Sequence, residues 1–166
     1  MKHIDWQTKT FSELSTDELY DIVKLRIDVF VVEQTCYYHE LDNLDKHPKT
    51  QHIFYYLDNQ LAAYARVLAE QTSYREYISI GRVVVSDKAR GCGLAHKILT
   101  KAIAVCHQYH PGKSIKISAQ EHLEQFYQQH GFTRVTGMYL EDNIPHIAMI
   151  NEMNGVLLNI NSKNER

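Results

Sequence analysis

The chain has 166 residues, 44% hydrophobic and 23% charged, with 7 Gly and 3 Pro. That composition excludes a collagen-like, repetitive or disordered chain and suits one ordinary domain, long enough to bury roughly 70% of its unfolded surface without a disulfide or metal staple. Lys and Arg total 18 against 20 Asp and Glu, a formal charge of -2, so nothing in the overall charge attracts nucleic acid or an anionic membrane.

Cys36, Cys92 and Cys106 form no regular disulfide spacing, and reduced thiols predict a cytoplasmic protein. The segment Met1 to Trp6 lacks the apolar centre of a signal peptide, and no run approaches the ~20 apolar residues of a membrane span.

Residues 4–12 carry Ile4, Trp6, Thr8, Thr10 and Ser12 on one parity, which predicts a short strand. Ser15 followed by Glu18 is a capping-box pattern. Leu19, Ile22, Val23, Arg26, Ile27 and Phe30 then recur at helical spacing and predict an amphipathic helix over 16–31. Residues 33–49 read as an irregular acidic loop closed by Pro48. His52 to Leu57, the turn signal Asp58-Asn59 and Gln60 to Leu68 predict a hairpin. Tyr77 to Val85 is the strongest strand signal.

After a loop at 86–93, Leu94, Ile98, Leu99, Ala102, Ile103 and Cys106 mark one helix face, stopped before Pro111-Gly112. Lys113 to Ala119 reads as a strand. Glu121 to His130 reads as a helix with Gly131 at C′, and 132–140 and 146–151 as strands. A strand-helix-strand crossover at 77–119 requires its two strands to be parallel if they share a sheet. The order predicts a mixed α/β domain.

The chemistry concentrates where strand 77–85 gives way to a helix near Cys92. Gly91 and Gly93 allow a tight turn and close approach of a ligand to the main chain. The start of a helix leaves unpaired N–H groups and a dipole that favour an anion, and Arg90 adds a fork of donors. A phosphate group is the natural guest. The dinucleotide fingerprint and the P-loop are both absent.

Arg90-Gly91-Cys92-Gly93-Leu94-Ala95, preceded by Val83-Val84-Val85, fits (R/Q)-x-x-G-x-(G/A) and resembles the acetyl-CoA motif of the GNAT acyltransferase superfamily. Phe126-Tyr127 with Gly131-Phe132 is similar to that superfamily's later motif. Leu25-Arg26, Val29 to Gln34, Cys36, Tyr38, Glu40, Asp42 and Glu141-Asp142 with Ile144-Pro145-His146 resemble its ElaA branch.

The resemblance implies a GNAT-like, mostly antiparallel sheet whose central parallel pair, 77–85 and 113–119, splays to hold acetyl-CoA. It implies an acyltransferase domain over 4–151 and a tail over 152–166, which could pack as an extra element or mediate homodimer contacts. Acetyl-CoA is then the co-substrate and no metal is needed. Val83, Val84 and Val85 would run along pantetheine. Arg90, Gly91, Cys92, Gly93, Leu94, Ala95 and His96 would hold the pyrophosphate, and Gln120 would also touch the cofactor. Tyr127 would protonate the leaving thiolate. The acceptor would be a primary amine of a small molecule or peptide.

Glu33, Tyr38, Arg82 and His146 are the candidate acceptor-side residues. Clustered carboxylates near tyrosines suit a cationic amine; Arg82 suits either a substrate carboxylate or an ion pair with the acidic loop, and Arg26 a structural pair with one of its acids. Many relatives carry an acid near residue 81 or 82, where this chain has Gly81 and Arg82. Glu33, His52, Glu141, His146 or a water chain are left as routes for the amine proton. His107 and His110 form no metal motif. Two alternatives stay open: an acyl-CoA-binding sensor without catalysis, kept alive by the missing acid, and an RNA-binding module, disfavoured by charge.

Overall fold

The protein is described by a computed structural model over residues 5–153. Ile4 of the first expected strand, and the expected tail beyond Met153, lie outside the described residues. The elements are β1 (Gln7–Lys9), α1 (Thr16–Arg26), β2 (Gln51–Leu57), β3 (Gln60–Leu68), β4 (Ser79–Val85), α2 (Leu94–Tyr109), β5 (Ile115–Gln120), α3 (Glu124–Gln128), β6 (Thr133–Arg134), β7 (Tyr139–Glu141) and β8 (Ile144–Asn151). Two compact units result. Of the described residues, one contains 5–68 with Ile80–Ile103; the other contains Ala69–Ser79 and 104–153.

In the first unit the sheet order is β1-β2-β3-β4. The hairpin β2–β3 turns at Asp58 and Asn59, both at positive φ (49° and 61°), as a type I′ turn requires. Helix α1 starts with the expected capping box. Ser15 Oγ accepts the Glu18 N–H at 3.1 Å, and the Glu18 carboxylate accepts the Ser15 N–H at 3.0 Å.

The helix expected to run to 31 stops as an α-helix at Arg26. It continues over Ile27–Glu33 as a π-helix, in which the Gln34 N–H reaches Val29 O at 2.9 Å. The β-branched residues in Val29-Phe30-Val31-Val32 crowd the i,i+4 rows of an α-helix, and a wider turn relieves that crowding. Ile22, Leu25 and Val29 bury against Phe54, Tyr64 and Val84. Each such side chain contributes roughly 1.5–3 kcal/mol of apolar transfer.

In the second unit β8 pairs antiparallel with β5, β6 and β7. Ile115, Ile117 and Ala119 of β5 are buried, while Lys116, Ser118 and Gln120 face the other way and are only half-buried. Helix 121–130 begins as a 3-10 turn over Glu121–Leu123 and is α-helical only at Glu124–Gln128. Gly131 follows at φ 86°, the left-handed conformation expected of a C′ residue.

The strand expected over 132–140 is broken into β6 and β7. At Thr136 the hydroxyl, in place of the main chain, accepts the Ala148 N–H at 3.0 Å, and Gly137 follows without a side chain to pack. The expected parallel start is a single bridge, Ile78↔Ile115, with Lys116 N–H donating to Ile78 O at 2.9 Å. Past it, β4 belongs to the first sheet and β5 to the second.

Candidate functional site

The loop after β4 is a short 3-10 turn, Asp87–Ala89, fixed by the Ser86 N–H donating to Ala62 O at 2.9 Å. Gly91 and Gly93 then sit at φ 86° and 77°. A side chain at either would meet open space, so conformation and not crowding demands glycine there. Helix α2 starts at Leu94, and the first four amides of such a helix have no acceptor within it.

Cys92 is exposed, and its Sγ lies 3.1 Å from Ala89 O. Leu94 is buried, Ala95 half-buried and His96 exposed. The chain thus turns through two left-handed glycines directly into the start of α2.

Arg90 is already engaged. Its Nη1 and Nη2 donate to Glu33 Oε1 and Oε2 at 2.7 and 2.8 Å, a two-point pair on the exposed surface. The bond from Arg90 holds the Glu33 carboxyl below its usual range. Glu33 comes from the end of the π-helical stretch, and both residues line a groove of about 870 Å³ with Leu25, Val32, Leu61 and Lys88. Sequence reasoning placed Glu33 on the acceptor side and did not pair it with Arg90.

Within β4, Val84 is buried and Val83 and Val85 are half-buried. Arg82 stands at φ 54°, a left-handed kink inside a strand that costs a non-glycine residue about 1–3 kcal/mol. Its side chain is held firmly. Nε donates to Glu40 Oε1 at 2.9 Å, and the guanidinium lies 5.0 Å from the Tyr38 ring centroid. Burial pushes the Tyr38 hydroxyl up to about 12.

Glu40 is shared with Arg26, whose side chain is 1% exposed. Arg26 Nε donates to Glu40 Oε1 at 2.7 Å and Nη1 to Asp45 Oδ1 at 2.8 Å. Arg66 donates to both oxygens of Asp42, at 2.9 and 2.5 Å, and to Asp45 at 3.0 Å. The acidic loop is thus tied down by three arginines. Arg26 and Arg82 pair with it as the sequence suggested. Arg66 was missed, although a lone charge within the apolar run Ala62–Leu68 is a signal that it has a buried partner.

His52 is also enclosed here: its Nε2 donates to Asp45 O at 3.0 Å and its Nδ1 accepts from Tyr64 Oη at 2.8 Å. Burial holds its pKa below the usual value.

In the second unit Tyr127 is half-buried between Phe126 and Phe132, with ring centroids 5.1 and 5.8 Å away. Burial pushes its hydroxyl up to about 12, so it is a protonated phenol at neutral pH. Gln120 ends β5 and lies opposite His146 in register. His146 contacts Glu141 Oε2 at 3.3 Å. His107 is exposed and His110 half-buried, and among the described residues no group of three or more His, Cys, Asp or Glu could hold a metal ion. Among them, too, no helix is long and apolar enough to cross a membrane.

A strand followed by a glycine turn that opens a helix is the arrangement that the GNAT resemblance implies, and the comparison with known proteins agrees. The family described as Acetyltransferase (GNAT) domain matches residues 16–153, and the chain belongs to it. The chain is similar to Protein ElaA of Escherichia coli strain K12, at 41% identity over 150 residues, 90% of this chain and 97% of that one. The crystal structure of Escherichia coli ElaA superposes with a TM-score of 0.84 over 90% of this chain and 99% of that one. An acyl-CoA N-acyltransferase from Pseudomonas aeruginosa, 42% identical, superposes with a TM-score of 0.84 over 89% of this chain and 99% of that one.

Proposed function

We propose that the protein is an N-acetyltransferase that moves the acetyl group of acetyl-CoA to a primary amine of a small molecule or peptide by direct attack. The observation that carries this reading is the pair of left-handed glycines, Gly91 and Gly93, opening helix α2 after Arg90. In this reading residues 4–151 form one acyltransferase domain with a tail at 152–166, and the protein works in the cytoplasm.

The amides of Gly91, Cys92, Gly93, Leu94, Ala95 and His96 hold the pyrophosphate, with Gln120 also on the cofactor. Val83, Val84 and Val85 offer main-chain groups to pantetheine as an added strand would. A main-chain N–H beside the Arg82 kink polarises the thioester carbonyl. Glu33, Tyr38, Arg82 and His146 serve the acceptor side. Most of the acceleration comes from holding amine and thioester together.

Tyr127 donates its proton as the C–S bond breaks. A phenol at about 12 is a weak acid toward a thiol near 8.5 in water. The sulfur enters the same apolar surroundings, which raise its proton affinity as well. The test is release of free CoA from acetyl-CoA with a panel of primary amines. Tyr127→Phe is expected to lower kcat about 100-fold and leave CoA affinity, read by calorimetry, unchanged. CoA binding with no transfer to any amine would favour the sensor reading.

Arg90 must exchange Glu33 for phosphate. Glu33→Gln is therefore expected to tighten CoA binding about 3- to 10-fold by calorimetry at low salt, the scale of one exposed charge pair. Unchanged or weaker binding would place Arg90 outside the pyrophosphate site.

A further inference from the structure

The sequence leaves four side chains as candidates to take the acceptor's proton. Glu33 is the exposed partner of Arg90 in the first unit. His52 is buried, with both ring nitrogens bonded to Asp45 O and Tyr64 Oη. The remaining two, Glu141 and His146, are bonded to each other in the unit that also carries Tyr127. They end a chain of hydrogen bonds across the half-buried face of the second sheet.

The direction of that chain follows from proton counting. Ser118 has one hydroxyl proton and donates it to Glu141 Oε2 at 3.0 Å. The 2.6 Å contact between Ser118 Oγ and Tyr139 Oη must then be Tyr139 donating to Ser118. His146 Nδ1 lies 2.7 Å from Ile144 O, and a carbonyl can only accept, so Nδ1 carries a hydrogen. Nε2 stands 3.3 Å from Glu141 Oε2, beside the carboxylate.

The register makes this possible. Tyr139 on β7 lies opposite His146 on β8, its ring stacked on the imidazole. Ser118 on β5 lies opposite Ala148, whose methyl group leaves room for the two hydroxyls to meet across β8.

We propose that Tyr139, Ser118 and Glu141 form the route by which the acceptor ammonium loses its proton, with His146 as the positioning residue for the carboxylate. The proposal rests on the amine-acetylating reading above. One N–H bond of the ammonium breaks as an O–H bond forms at Tyr139 Oη. The Tyr139 proton passes to Ser118 Oγ, and the Ser118 proton to Glu141 Oε2. A cationic ammonium and an anionic carboxylate become a neutral amine, ready to attack, and a neutral carboxyl. The Glu141 side chain is 52% exposed, so it can return the proton to water.

Charged and titratable neighbours on this face include Lys116, which stands over the Tyr74 and Tyr77 rings at 5.0 and 5.6 Å, and those two tyrosines. Burial first, then Tyr139 and Glu141, push the Tyr74 hydroxyl up to about 12, which keeps it neutral while the amine titrates.

The experiment compares Ser118→Ala, Glu141→Gln and Tyr139→Phe with the native enzyme, using acetyl-CoA and the best amine of the panel across pH, with calorimetry for CoA. A broken route lowers kcat/KM for the amine about 30- to 100-fold well below the amine's own pKa. The deficit shrinks toward unity as the amine becomes neutral in solution, and CoA affinity stays within about twofold. Glu141→Asp restores part of the rate. A loss of equal size at every pH, or no loss, overturns the proposal and leaves the acetyltransferase reading intact. A native enzyme that acetylates no amine overturns that reading and the relay with it.

Discussion

Replacing Arg26 by methionine is expected to destabilise the protein by about 3–5 kcal/mol. The side chain is buried at 1% exposure, and its removal strips donors from Glu40 and Asp45, which are 5% and 9% exposed. Arg82 and Arg66 still reach those carboxylates, but each would then carry a burial cost that two arginines now offset. Urea unfolding measures it. The exposed pair Lys24–Asp28, at 63% and 51% exposure, provides the contrast, because Lys24→Ala should cost under about 0.5 kcal/mol. An Arg26→Met protein as stable as the native one would mean that the loop folds without the cluster.

The same cluster sets the acid limit of stability. Burial alone would raise the Asp45 carboxyl, but bonds from Arg26 and Arg66 outweigh it and hold it below the usual range. Asp42 behaves likewise under Arg66. A depressed carboxyl contributes stability above its unfolded pKa, near 3.9, and loses it as pH falls through the folded value. His52, whose pKa burial lowers, must be neutral to fold, so its contribution is complete above its unfolded value, near 6.5, and fades below it. Stability should therefore decline gently from about pH 6.5 and steeply below about pH 4, a profile that Arg26→Met flattens at its acid end.

What the sequence reveals and what it hides divide along a physical line. The Ser15–Glu18 cap, the Asp58-Asn59 turn, the strand expected over 77–85 and found over Ser79–Val85, and the Gly91–Gly93 turn are local. Each depends on residues a few positions apart and on backbone angles only certain side chains accept. The GNAT resemblance likewise rests on short segments, Arg90 to Ala95 after Val83-Val84-Val85 and Phe126-Tyr127 with Gly131-Phe132. The Arg90–Glu33 pair joins residues 57 apart, and the Ser118–Tyr139 bond residues 21 apart. Both exist because a sheet register or a π-helical turn places two side chains together, and neither leaves a periodic trace. Arg66 is the intermediate case, since its strand announced a buried charge but not its partners. The kink at Arg82 left no trace, because an arginine at positive φ is what local preference argues against.

Valine at both Gly91 and Gly93 is expected to weaken CoA binding about a thousandfold while the fold survives. Neither glycine has an atom within 4 Å of where a side chain would begin, so the cost enters through the backbone. At φ 86° and 77° a β-branched residue is strained by about 1–3 kcal/mol, and the chain relieves it by moving φ to negative values. On the proposed assignment, that rotation turns the amides at the head of α2 away from the diphosphate. A hydrogen bond to a charged group contributes about 1.5–3 kcal/mol, so losing two removes about 3–6 kcal/mol, and each 1.4 kcal/mol is tenfold. Helix α2 itself should persist, because Leu94, Ile98, Leu99 and Ala102 remain buried. Calorimetry with CoA, alongside circular dichroism, separates the two effects. Unchanged affinity in a folded double variant would show that the diphosphate is held elsewhere, and the assignment of Arg90 to His96 would fall with it.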